Sequence, residues 1–193
     1  MEQPGPAEVL TRLRLFEEMT AAGRRATERW GWSFLLWGVG PLIAMLWEAR
    51  GPYPALAWPV ILVLCVVMNG VVLKLRGRRG HAVPMSMRSV GAVWTSTGIA
   101  VLILAVATVW SGASDFRFLY VALFALAAVA HTASCVILKW FPQALTALAW
   151  WCAALAACFV PAARLQTLAA AALLAGNVGF GAWLTYKERS RPA

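Results

Sequence analysis

Six runs of this chain contain no Asp, Glu, Lys or Arg: Trp30–Trp47, Pro54–Leu73, Ser89–Ser111, Phe118–Leu138, Gln143–Val160 and Leu165–Tyr186. The hydrocarbon layer of a bilayer is about 30 Å thick and takes roughly 20 helical residues to cross. No water is available there to satisfy backbone N–H and C=O groups, so a spanning segment closes its own hydrogen bonds as a helix. The runs therefore predict an all-α, polytopic membrane protein with six transmembrane helices. Their short links predict that neighbouring spans pack as antiparallel hairpins. Composition agrees, because only 13% of residues are charged, about half the share a soluble surface requires.

The basic residues predict an orientation. Arg12, Arg14, Arg24, Arg25 and Arg29 precede the first span, and Lys74, Arg76, Arg78, Arg79 and Arg88 lie between the second and third. Lys139 separates the fourth and fifth, and Lys187, Arg189 and Arg191 follow the last. The other side holds Arg50, Arg117 and Arg164, a split of 14 against 3. Cytoplasmic loops carry the Lys/Arg excess, so both termini are expected inside. The net charge of +9 then acts mainly as a topological signal, and nucleic acid is not an expected partner. The basic loop "KLRGRRGHAVPMSMR" lacks the aromatic platforms of a single-strand binder. Its Lys74, Arg76, Arg78 and Arg79 are candidates for anionic-lipid contact. Arg exceeding Lys, with abundant Ala, points to a GC-rich bacterial genome and so to an inner-membrane location.

Residues 1–29 are polar and lack the basic, apolar, small-residue order of a cleavable leader, so none is expected. The expected organisation is a cytoplasmic N-terminal segment (1–29), a transmembrane domain (30–186) and a cytoplasmic tail (187–193). In the first segment Pro6 suits a helix start. Val9, Leu13, Phe16 and Met19 follow at helical spacing, with Arg14, Glu17, Glu18 and Glu28 placed elsewhere around the axis. An amphipathic helix of this kind lies on the inner leaflet or docks on a protein. The four apolar residues are therefore candidates for partner binding.

The spans are chemically spare. All eight carboxylates lie outside the apolar runs, whereas proton and sodium pathways usually pass intramembrane Asp or Glu. There is no HExxH and no GxSxG, and the four cysteines form no CxxC pair. No catalytic residue, metal site or cofactor is assigned. His131 is the single histidine within a span, and a haem bundle with two axial histidines needs two. Its neighbours Ala127, Ala128, Ser134 and Cys135 form a small-residue face that lets another helix approach. The ordinary role for such an imidazole is an interhelical hydrogen bond. The functional alternatives are substrate contact, a proton relay, or metal or haem ligation with Cys135.

Asn69 and Asn177 are the other deep polar groups. Both sit with His131 on spans expected to run from outside to inside, at similar distances from a terminal basic residue. The sharper expectation is that Asn69, His131 and Asn177 meet at one polar spot in the inner half of the bundle. Pro41 in "GVGP" removes a helix N–H and is expected to kink the first span. Ala169, Ala172, Gly176 and Gly179 form a small-residue stripe on the last span, through which an oligomer is conceivable.

The opening "FEEMTAAGRRA" leading into "WSFLLWGVG" resembles uncharacterised small bacterial polytopic inner-membrane proteins that carry a charged N-terminal helix. The resemblance spans about 40 residues, implies the same location, and transfers no functional residue.

The leading functional expectation is a non-enzymatic scaffold, accessory subunit or regulator that meets a protein partner through its cytoplasmic N-terminal helix. The rival is a facilitator or channel for a small neutral or apolar solute. A membrane enzyme or haem or metal protein using His131 comes third.

Overall fold

The structure is a computed structural model that describes residues 5–77, 85–111 and 116–190. Among the described residues all regular secondary structure is helical and there is no strand. Helix α1 (Pro6–Glu28) precedes α2 (Gly31–Arg50), α3 (Ala57–Gly77), α4 (Met85–Trp110), α5 (Arg117–Leu138) and α6 (Phe141–Phe159). The last stretch comprises α7 (Leu165–Leu173), a π-helical turn (Leu174–Gly179) and α8 (Phe180–Arg189). Six segments are long and apolar enough to cross a bilayer: Gly31–Arg50, Pro54–Leu75, Met85–Thr108, Arg117–Leu138, Phe141–Phe159 and Ala162–Arg189. This is the make-up of a multi-pass membrane protein. The boundaries differ from the sequence expectation by a few residues, mostly where a polar terminal turn such as Met85–Arg88 stays helical beyond the apolar run.

Several boundaries have local causes. Pro6 and Pro142 occupy the first turns of α1 and α6, where the missing N–H would be unpaired anyway. Lys139 ends α5 in the left-handed region at φ 47°. The N–H of Trp140 then donates back to Cys135 O at 3.1 Å, so a two-residue link reverses the chain into α6. Lysine there replaces the glycine that such a C-terminal cap favours.

The helices α5 and α6 share the most extensive contact in the molecule. Their facing residues are small, with Ala128, Ala130, Ala153, Ala154 and Ala157 all buried, so dispersion contacts replace the hydrophobic drive that lipid does not supply. Phe124, Trp150, Leu165, Ala169, Ala172 and Leu173 complete this part of the core. A second cluster joins Phe34, Val90, Leu138, Trp140, Phe180 and Leu184. On one side α2 meets α3, and on another it meets the π turn and α8. Helix α4 leans on α5, and α1 touches α4, α5 and α8.

The stripe of the last span is largely used within the chain. Ala169, Ala172 and Gly176 are buried, and a Cβ on Gly176 would stand 2.5 Å from Trp150 Nε1. Gly179 alone of the four stays exposed.

Candidate functional site

His131 is fully enclosed, like its partner Gln143. The short link through Lys139 and Trp140 brings the first turn of α6 beside the last two turns of α5. There the His131 Nδ1–H donates to Gln143 Oε1 at 2.5 Å. Aromatic rings close over the pair. Phe34 of α2 stacks on the imidazole with centroids 5.7 Å apart, while Trp94 of α4 and Phe180 of α8 meet it edge-on at 4.9 and 6.1 Å. One turn along α5, Ser134 Oγ accepts from Trp94 Nε1 at 3.2 Å and donates to Ala130 O at 2.7 Å. Four spans besides its own therefore meet around one imidazole.

Asn177 is the next polar group within reach of that ring, and its amide also bonds across to α2. Its Nδ2 donates to Trp37 O at 3.3 Å. Trp37 stands four residues before Pro41, which lies inside α2, and a helical proline has no N–H for the carbonyl four residues earlier. Asn177 thus satisfies an acceptor that Pro41 leaves open. The contact is close because Gly38 has no side chain: a Cβ there would stand 2.7 Å from Val178 Cγ2 and 2.9 Å from Asn177 Cβ. The π turn holding Asn177 faces α2 at this point. Single π turns inside helices often coincide with functional positions.

Asn69 does not share this arrangement. Its Oδ1 accepts from Ser33 Oγ at 3.0 Å, between α3 and the start of α2. Of the three deep polar residues considered from sequence, His131 and Asn177 lie together, and Asn69 braces a separate helix pair. Gln143, Trp94 and Ser134 are members that sequence reasoning left out. From sequence alone Gln143 stands at the edge of a span. Its signal was the polar side chain on the same α6 face as Ala147, Trp150 and Ala154.

Three buried polar atoms in this region lack a hydrogen-bond partner among the described residues: His131 Nε2, Gln143 Nε2 and Trp150 Nε1. With Nδ1 donating, His131 Nε2 is an acceptor, whereas the other two are donors. Cys135, four residues after His131 on α5, is half-buried. Among the described residues no three His, Cys, Asp or Glu side chains are placed to hold a metal ion.

The N-terminal segment behaves as two halves. Thr20, Gly23, Thr27 and Glu28 are buried. Thr27 Oγ1 donates to Met87 Sδ at 3.1 Å, Ser86 Oγ donates to Met19 O at 3.3 Å, and Glu28 pairs with Lys187 at 2.7 Å. Residues 7–19 are exposed without a break. Val9, Leu13, Phe16 and Met19 are 41%, 55%, 51% and 39% exposed, and Lys139 Nζ sits 4.8 Å above the Phe16 ring. Lys74 is exposed at the end of α3; Arg76 belongs to the same helix, and Arg78 and Arg79 lie outside the described residues. Comparison with protein-family models, curated proteins and solved structures finds no match.

Proposed function

We propose that this chain is a multi-pass protein of the bacterial inner membrane without catalytic activity of its own. It serves as a scaffold, accessory subunit or regulator, and α1 is the element that meets a protein partner. In this reading the six spans alternate as antiparallel hairpins, both termini are cytoplasmic, and the basic residues Lys74, Arg76, Arg78 and Arg79 lie against anionic headgroups. The observation that carries the proposal is the division of α1. Residues 20–28 are fastened to three other helices, with Phe16 and the Met19 carbonyl making the outermost contacts, while the side chains of residues 7–19 are exposed on the same helix.

The sealed centre supports the non-catalytic half of the proposal. His131, Ser134 and Gln143 are 0% exposed, so no substrate reaches them while the spans keep this packing. The test is purification in mild detergent, with and without residues 7–19, followed by mass spectrometry of bound proteins. Loss of a specific partner on truncation is the expected result. Retention of every partner overturns the proposal.

A second reading, a facilitator for a small neutral solute, draws on one observation: the buried polar atoms of His131, Gln143 and Trp150 without a hydrogen-bond partner among the described residues. Solute flux in proteoliposomes that His131→Leu abolishes would establish it. The absence of flux across small polyols, amides and dissolved gases would remove it.

A further inference from the structure

The residues of α1 that touch the bundle and the residues that stand free belong to one stripe. Val9, Leu13, Phe16, Thr20, Gly23 and Thr27 follow one another at alternating steps of four and three, which keeps a helical face on one side of the axis. Thr20 and Thr27 are buried, and a Cβ on Gly23 would stand 3.0 Å from Leu138 Cδ2. The partners along the stripe all sit at ends of spans: Ser86 and Met87 open α4, Leu138 and Lys139 close α5, and Lys187 lies in the last turn of α8. A rod that touches the ends of three different helices within residues 16–28 crosses the bundle and does not run along it. The stripe is therefore the side of α1 that faces the level where the spans end.

We infer that the first half of α1 lies in the membrane surface, with Val9, Leu13 and Phe16 directed toward the acyl chains. Continued past the bundle, the straight helix brings these three residues to the depth that Gly23 and Thr27 occupy against protein. Lipid replaces helix ends as the surface beneath. Helix α1 itself carries four Arg (12, 14, 24, 25) and four Glu (8, 17, 18, 28). Its attachment consequently comes from apolar burial and covalent tethering, not from net charge. Interfacial helices otherwise depend strongly on anionic lipid, and this one is expected to settle equally well on phosphatidylcholine. The inference rests on the reading of the six segments as bilayer spans. It also refines the proposed function, since a protein partner would then meet the opposite edge around Arg14 and Glu18.

The test uses the full chain with its four cysteines replaced by alanine, reconstituted into phosphatidylcholine vesicles. Spin labels are placed one at a time through Val9→Cys, Leu13→Cys, Phe16→Cys, Arg14→Cys and Glu18→Cys. Labels at 9, 13 and 16 are expected to collide with oxygen and be shielded from an aqueous nickel chelate, and labels at 14 and 18 to do the reverse. Water-like accessibility at all five positions overturns the inference. Shielding of 9, 13 and 16 from both colliders, seen only in native membranes, also overturns it and assigns the stripe to a protein. If the cysteine-free chain does not assemble, a photo-crosslinking amino acid at Leu13 in the otherwise native chain reads the same geometry. Lipid adducts at Leu13 with none at Glu18 support the inference, and their absence at Leu13 refutes it. Truncation that leaves all partners bound would remove the partner reading and leave this one standing.

Discussion

Helices α3 and α4 and the pair α2 and α6 are all apolar enough to span, yet they occupy opposite situations. Mean hydropathy is 2.5 and 2.0 over the third and fourth helices, of which 11% and 6% is buried within the protein. It is 1.3 over both α2 and α6, of which 28% and 39% is buried. In water the more apolar helix would be the more buried one. Here lipid is as good an apolar environment as any leucine, so hydropathy alone does not decide burial: α5, at 2.2, is still 33% buried. Small and polar residues mark contact with protein. The glycines make the same division. A Cβ on Gly181 would stand 2.8 Å from both Gly31 O and Leu35 N, whereas Gly70, Gly91 and Gly98 on α3 and α4 have nothing within 4 Å.

Substitutions sharpen this contrast. The largest effect is expected for Gly181→Val, where the new atoms meet backbone that cannot yield. Overpacking of this kind costs about 3 kcal/mol, and reversible unfolding in mixed micelles should register it as loss of most of the folded population. The matched change Gly98→Val should stay within about 0.5 kcal/mol. Equal losses at the two sites would end the comparison.

Gln143→Leu comes next. It leaves the buried Nδ1–H of His131 without an acceptor, at a cost of about 1–3 kcal/mol. The double change His131→Leu with Gln143→Leu should recover part of that loss in the same unfolding assay. A double variant as unstable as the sum of the singles would show that the pair is not coupled.

Asn69→Leu breaks the bond to Ser33 at the edge of the bundle, where lipid surrounds α3. About 0.6 kcal/mol is expected, the average for an interhelical hydrogen bond in a membrane. The smallest effect is Gly91→Ala, which should stabilise α4 slightly because glycine is the poorer helix former. Destabilisation at Gly91 would place a helix against that face.

The spans could be located from sequence because hydrocarbon imposes one requirement on every residue between two interfaces. Pro54–Leu73 and the observed Pro54–Leu75 differ by two residues, Lys74 and Leu75, which stay helical beyond the uncharged run. Relations between spans were less accessible. Asn69 and Asn177 look alike in composition and depth. Only Asn177 reaches the centre, because Pro41 frees the Trp37 carbonyl on the helix facing it. That pairing links residues 140 positions apart, and no local pattern encodes it. The π turn is likewise unmarked in the sequence: Leu174–Gly179 contains no proline and reads as ordinary helix. Gln143 escaped notice for a third reason. A polar residue just after Pro142 fits an exposed helix start equally well, and only the left-handed turn at Lys139 folds it under His131.

Reporter fusions to the full set of links test the central claim, that lipid surrounds this bundle with its arginine-rich ends in the cytoplasm, most directly. Fusions after Arg79, Lys139 and Lys187 should be active only with a cytoplasmic reporter, and fusions after Gly51, Ser111 and Ala162 only with a periplasmic one. A periplasmic signal after Arg79, or a cytoplasmic signal at all six positions, would contradict the account.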